Sequence, residues 1–300
     1  MKAKHMGFSQ RRMAILTPLW AIILTFTWFA LSSKDTRAQD KKHENFDADN
    51  FDNPTQIDNN WMPLKPGMRY VYAGTTIDDQ GEAVPHRVVI NVTDLTKVIE
   101  GIRCRVSWDL DYSSGELVEA ELAFFAQDND GNVWRMGEIP VEYEDGEVAD
   151  APCWISGIKG SVAGISMRAE PKVGARSYSQ GWAPSVGFTD RGQVDQMGIT
   201  TCVPMKCYED VLVVAEGSEA EPDAQQLKYF AHGVGNIKVG WRGEGEKTQE
   251  VLRLVDVMQL GADGLAKMRK QAMKLEKLGY EISKDVYGKT PPLKQETGTN

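Results

Sequence analysis

Carboxylates are the commonest groups in this sequence that could do chemistry. Asp109, Asp111 and Glu116 lie close together, as do Glu142, Glu144, Asp145 and Glu147. Two carboxylates facing each other across a cleft can act as acid and base on a glycosidic bond. Here they alternate along strand-like runs or gather at turns, which is how a solvated sheet face reads. The solvated face is the expectation, and a carboxylate-based hydrolase is the alternative. Asp128-Asn129-Asp130-Gly131-Asn132 resembles the start of a calcium loop, so Asp128, Asp130 and Asn132 are weak metal candidates. An EF-hand needs Gly at its sixth position and Glu at its twelfth. Val133 and Ile139 stand there instead, so a plain Asp-Gly hairpin turn is expected.

Outside the leader the histidines are His43, His86 and His232, and none sits in a nucleophile motif. There is no G-x-S-x-G, H-E-x-x-H or P-loop signature. The sequence therefore assigns no catalytic residue and no cofactor, and leans away from an enzyme. The four cysteines are Cys104, Cys153, Cys202 and Cys207. An even count in an exported chain points to disulfides. Cys202 and Cys207 flank a hairpin tip at Val203-Pro204-Met205-Lys206, so Cys202–Cys207 and Cys104–Cys153 is the expected pairing among three connectivities. Tryptophans serve core filling by default and binding where they face a ligand. Trp108, Trp134, Trp154, Trp182 and His232 are the candidates for a ligand face.

The elements that would position these residues begin after residue 38. Residues 1–12 carry Lys2, Lys4, Arg11 and Arg12, residues 13–33 carry no charge, and Thr36-Arg37-Ala38 offers small residues before Gln39. Basic, apolar and small in that order is a secretory signal. The apolar run approaches the length that spans a bilayer, so an uncleaved inner-membrane anchor with the domain outside is the alternative. Either way the location is extracytoplasmic, periplasmic or secreted, and any membrane attachment runs through the leader alone. Residues 39–60 are polar and acidic and read as a flexible tether.

From Trp61 the pattern is strand and turn: Met68–Thr75, Arg87–Thr93, Lys97–Tyr112, Leu117–Gln127 and Val133–Gly137, then less regular chain over 150–190. Strand-like runs resume at Val194–Cys202, Tyr208–Glu216, Gln226–Ala231, Gly235–Trp241 and Thr248–Gln259. The tail changes period. Leu265, Met268, Ala272, Leu275, Leu278, Ile282 and Val286 make one apolar stripe, which predicts an amphipathic helix over 263–287 with Asp263 as its cap. Residues 288–300 read as a disordered tail. The expected fold is mainly β (α+β by element count): a large curved antiparallel sheet with the C-terminal helix packed on it, in one domain over 61–287.

The net charge is −9, and becomes −14 once residues 1–38, with six basic residues and one acid, are removed. A chain this acidic repels polyanions, which excludes nucleic acid as a partner. What remains is a non-catalytic binding module for an apolar or amphiphilic small molecule or an envelope protein, or a structural interaction protein.

Four segments carry a resemblance. They are Asn53-Pro54-Thr55-x-Ile57-Asp58-Asn59-x-Trp61-x-Pro63-Leu64-x-Pro66-Gly67, Ala126-Gln127-Asp128-x-x-Gly131-Asn132-Val133-Trp134, Val203-Pro204-x-x-x-Tyr208-x-x-Val211-Leu212, and Tyr229-Phe230-Ala231-x-Gly233-Val234-Gly235. In this order they are similar to a group of exported bacterial β-rich proteins of unknown function. The resemblance implies a curved sheet with a helix against it, as in lipoprotein carriers, and no defined activity. His232 stands where the group usually has Pro, and Cys202 and Cys207 where it has no Cys.

Overall fold

The computed structural model describes residues 41–296 except 79, 219, 220 and 222. The expected signal or anchor over 1–38 lies outside the described residues. The described residues group as one compact unit.

The β-branched and aromatic runs form strands. These are β1 (Met68–Ile77), β2 (Ala83–Ile99), β3 (Ile102–Ser113), β4 (Glu116–Gln127), β5 (Val133–Glu144), β6 (Glu147–Asp150), β7 (Trp154–Ile155) and β8 (Val162–Met167). They continue with β9 (Tyr178–Ser179), β10 (Gly181–Trp182), β11 (Arg191–Cys202), β12 (Cys207–Gly217), β13 (Gln225–Ala231), β14 (Gly235–Arg242), β15 (Val251–Gln259) and β16 (Lys294–Gln295). The run Lys97–Tyr112 is two strands, because Glu100 and Gly101 take positive φ (48° and 83°) in a tight turn. All strands join one antiparallel sheet in the order β10-β8-β5-β4-β3-β2-β1-β15-β14-β13-β12-β11-β9, with β6 and β7 on β5 and β16 on β2. The path nearly closes on itself. Its two ends, β9 and β10, are separated only by Gln180 and pair with β11 and β8. The seam needs a glycine on the facing strand: a Cβ at Gly164 would sit 2.2 Å from the Gln180 carbonyl carbon and the Gly181 nitrogen.

Alternation then gives the sheet two faces with different contents. On β3–β5 the outer face carries Val106, Leu122, Phe124, Met136 and Ile139, all fully buried. The helix α1 (Ala262–Ile282) covers it through Met268, Ala272, Leu275 and Gly279, where the space a Cβ would take is closed by Ile139 and Tyr287. Fully burying apolar side chains contributes roughly 1.5–3 kcal/mol each, so this outer layer is a principal source of stability. The helix is shorter than its sequence stripe. Its cap is Gly261, Asp263 lies in the first turn, Ile282 is exposed and Val286 lies beyond its end. Arg269 clamps α1 to β2 through both oxygens of Asp94, at 2.9 and 2.6 Å.

Two segments expected to be loose are packed. In the acidic stretch 41–60, Phe46 meets Phe51 and Trp134 with ring centroids 5.5 and 5.6 Å away, and Phe51 and Ile57 are buried. Asn59 donates to the Gly131 carbonyl and accepts from the Trp61 and Met62 amides. Beyond the helix, Leu293 is buried and β16 pairs with β2. Arg105 binds Glu296 at 2.6 Å and the Thr55 carbonyl at 3.0 Å, so one buried guanidinium ties down both segments. A few apolar residues, spaced among charges, outweigh the polar composition that signals a tether.

Cys202 and Cys207 are disulfide-bonded across the β11–β12 hairpin. Cys104 and Cys153 are not bonded to each other, which corrects the second expected bridge. Cys104 Sγ lies 3.5 Å from the Ile102 carbonyl within β3, and Cys153 faces Ser283 and Tyr287. Burial raises both thiols, Cys153 to about 12. A native sample should therefore show one disulfide by peptide mapping and no thiol reacting with a disulfide reagent. After unfolding in denaturant two thiols should appear; a native Cys104–Cys153 crosslink would contradict this.

Lys97 is the unusual member of the outer core. Its ammonium lies 4.0 Å from the Tyr287 ring centroid, 5.2 Å from Tyr280 and 5.8 Å from Phe124, with Glu276 Oε1 at 3.3 Å. Burial lowers its pKa to about 8 against the opposing pull of Glu276. Removing one partner of such a pair leaves a buried charge. Lys97→Met should cost about 3 kcal/mol in urea unfolding, and adding Glu276→Met should restore most of it. Equal stability of the single and double variants would show that the pair is not coupled.

Candidate functional site

The inner face of the sheet is not a solvated surface. It encloses a cavity of about 290 Å³ lined by residues of the strands and of the 180–190 loop. Strand register fixes a gradient along it. On β12 the inward column runs Leu212, Val214, Glu216; on β13 it runs Phe230, Lys228, Gln226 at the matching levels. On β2 it runs Ile90, Val88, His86, alongside Tyr70, Tyr72 and Gly74 of β1. Leu254 and Leu252 on β15 pair with Tyr72 and Gly74, and Glu250 follows. On β1, β2, β12, β13 and β15 one end is therefore apolar, with Met62 and Leu64 beside it, and the other is charged, while Asp109, in register with Ile90, and Arg135 make the β3–β5 wall polar.

The charged end gathers residues far apart in sequence. Glu216 Oε2 lies 2.6 Å from Lys228 Nζ, and Glu216 Oε1 accepts from Gln180 Nε2 at 2.6 Å. Gln226 Nε2 donates to Glu250 Oε2 at 3.2 Å. His86 Nε2 stands 2.7 Å from Asp111 Oδ1 and 3.5 Å from Glu250 Oε1. On the opposite wall Arg135 pairs with Glu138. Two residues three apart in a strand should point to opposite faces. Here a bulge between the Phe124–Gly137 and Phe125–Arg135 pairs turns both inward. Arg135 also lies over the Phe125 ring at 5.4 Å.

Asp109, Glu119 and Asp190 keep measurable solvent-accessible area, yet for Asp109 and Asp190 it is cavity wall rather than outer surface. Burial therefore dominates their protonation. It pushes Asp109 up to about 6, against the pull of Ser107 and Arg135. It pushes Glu119 up to about 7, reinforced by Asp111 and Glu138. It pushes Asp190 up to about 6, reinforced by Glu216. Glu121 is raised further by burial and by Glu138, and its Oε1 has no hydrogen-bond partner. Lys228 is raised, since Glu216 outweighs the burial that opposes it.

Most residues singled out from sequence lie elsewhere. None of Trp108, Trp134, Trp154, Trp182 and His232 lines this cavity. Trp108 packs against the core from the other side of β3. Trp134 donates its indole N–H to Asp128 at 2.8 Å, and Trp154 donates to Glu138 at 2.9 Å while stacking on Phe188. Trp182 is half-buried with Lys42 over its ring at 5.7 Å. His232 stacks on Trp61 with centroids 3.7 Å apart and pairs with Asp210 on the outside. The Asp128 loop is a turn, not a metal cradle. Asp128 Oδ1 takes the Asn132 amide, Oδ2 takes the Asn132 and Trp134 side chains, and Asp130 accepts from Asn50. Of the acidic candidates, Asp109 and Asp111 face inward, which corrects the solvated reading for those two, while Glu116, Glu142, Glu144, Asp145 and Glu147 are exposed as that reading expects. The wall residues Arg135, Asp190, Glu216, Lys228 and Glu250 escaped sequence reading. Their one signal is phase: each of Glu216, Lys228 and Glu250 continues a period-2 apolar column.

No family model matches the chain, and no curated protein matches it. Two solved structures do. One is described as a candidate exported protein with a YmcC-like fold from Bacteroides fragilis NCTC 9343, the other as a candidate lipoprotein from Parabacteroides distasonis ATCC 8503. Each is 10% identical, with TM-score 0.34, covering 66% of this chain and 99% of its own. Among the described residues no helix is long and apolar enough to cross a membrane.

The raised carboxyls set the sign of a pH dependence. A carboxyl whose folded pKa lies above its unfolded value favours the protonated native state, so its stabilising contribution is complete below about pH 4 and lost as pH rises through 6–7. Asp109→Asn, Glu119→Gln and Asp190→Asn should each flatten the fall in melting temperature between pH 5 and pH 7.5. A slope identical to wild type in all three would refute the shifts.

Proposed function

We propose that this chain is an extracytoplasmic binding protein for a small amphiphilic molecule whose head group is cationic or rich in hydrogen-bond donors. The observation that carries the reading is the graded cavity: apolar at the Tyr70–Phe230 end, acidic at the Asp190–Glu216 end. Small-molecule sites are concave, mostly apolar, and hold a few placed polar groups, with volumes from roughly 300 Å³ upward. This one is near that lower bound and suits a short-chain ligand. Asp109, Asp190, Glu216 and Glu250 face the space against Arg135 and Lys228, so the polar end carries more acids than bases. Burial makes ionising Asp109 and Asp190 costly even beside Arg135 and Lys228, and a further, bound cation offsets that cost. The basic, apolar, small leader supports a location outside the cytoplasm.

The test is displacement of a fluorescent naphthylamine probe from the full chain purified from an expressing bacterium. Octylammonium should compete at least tenfold better than octanoate. Asp190→Asn and Glu216→Gln should each narrow that preference several-fold, and Val239→Phe, which fills the cavity wall, should weaken probe uptake itself. No uptake by wild type, or equal competition by the two amphiphiles, would overturn the reading.

A further inference from the structure

We infer that His86, Asp111 and Glu250 form a divalent transition-metal site at the rim of the cavity's charged end. The three side chains come from β2, from β3 and from the residue just before β15. Each offers one ligand atom, and these atoms lie within 4.8 Å of one another. A zinc ion held at 2.0–2.2 Å by three ligands of a tetrahedron spaces them ~3.4 Å apart. The observed separations from His86 Nε2, 2.7 Å to Asp111 Oδ1 and 3.5 Å to Glu250 Oε1, bracket that value.

A second observation points to a ligand. His86 is 9% exposed; its Nδ1 makes no hydrogen bond, and its Nε2 meets Asp111 Oδ1 at 2.7 Å as an ion-pair contact rather than an aligned hydrogen bond. Buried polar atoms normally find well-aligned partners, and leaving several at one spot without one is costly. A cation between them satisfies Nε2 and both carboxylate oxygens at once. The surroundings are already arranged for it. Gln226 holds Glu250 by Oε2 and leaves Oε1 facing His86, which is the outer-sphere support that metal-bound carboxylates receive. Two carboxylates balance a 2+ charge. One nitrogen and two oxygens make a borderline donor set that suits Zn²⁺ or Mn²⁺ better than Ca²⁺, which takes six to eight oxygens. Glu250 also lines the cavity, so a remaining coordination position opens toward it. The site shares Glu250 and Gln226 with the cavity wall but uses neither Asp190, Glu216 nor the apolar end, so the two readings fail separately in the variants below.

The experiment is Zn²⁺ titration by calorimetry on the full chain after chelator treatment, followed by Co²⁺ substitution read by visible absorption. Wild type should bind one equivalent. His86→Ala and Glu250→Gln should each weaken Zn²⁺ by at least ~100-fold, and Gln226→Leu, which removes only the supporting amide, by ~10-fold. Glu250→Gln and Gln226→Leu preserve side-chain size, so they carry the test if His86→Ala does not fold. His232→Ala, at the exposed His–Asp pair, should change nothing. Absent binding by wild type, unaltered binding by the first three variants, or loss of binding in His232→Ala alone would overturn the site. Octylammonium competition in His86→Ala reports separately on the cavity.

Discussion

The inner face of this sheet depends on one buried cation. Arg135 faces Glu138, Glu121, Glu216 and Asp109, and their combined field raises its pKa although burial opposes its charge. A guanidinium is the residue for this place, because its planar fork serves several carboxylates and its flat face stacks on Phe125 and Phe188. Without it the strands β3, β4 and β5 would bring Asp109, Glu121 and Glu138 onto one concave wall with nothing to offset them. Its position is a product of backbone irregularity. The bulge at Gly137 turns Arg135 and Glu138 to the same side, and Trp154 then fixes Glu138 from behind.

A wall so polar is tolerable because the fold does not rely on it for a core. The dry layer lies on the opposite face, between β2–β5 and α1, where Phe124, Leu122, Ile139 and Tyr287 are sealed. Even there a charge is embedded, but Lys97 is caged by aromatic rings and answered by Glu276. The two terminal segments extend the same layer. Phe51 and Ile57 enter it from one side and Leu293 from the other, and Arg105 joins them. The outer face carries the helix-covered layer, and the inner face combines a pocket with core residues such as Tyr72, Leu212, Val214 and Leu254.

Much of this was legible. The strand runs, the hairpin turns, the Cys202–Cys207 bridge and the C-terminal helix follow from alternation, turn residues and a 3.6 period. Three features were not. A charged sheet face reads as wet in sequence, and only near-closure of the sheet through Tyr178–Trp182 turns Asp109 and Asp111 inward. Bulges break the period-2 rule, so Arg135 and Glu138 appear on opposite sides until register is known. Cysteine parity counts thiols without locating them, and Cys104 and Cys153 are separately buried. The tryptophans misled for a related reason. Trp134 and Trp154 are set not against a ligand but against Asp128 and Glu138, whose charges their indole N–H groups satisfy.

The gradient along the cavity is the feature that stability alone does not explain. If packing were the sole demand, the columns Leu212-Val214, Phe230 and Leu254-Leu252 would continue in apolar residues to the end of each strand and fill the space. Instead they give way to Lys228, beside Val214, and then to Glu216, Gln226, Glu250 and His86. There burial raises the Asp190 and Glu250 carboxyls, and His86 and Asp111 leave polar atoms without aligned hydrogen bonds. Each departure costs free energy in the isolated chain, and the costs cluster in one place. Clustered, uncompensated polar groups at the end of an apolar cavity are the arrangement expected where a bound group, rather than the protein itself, completes the network.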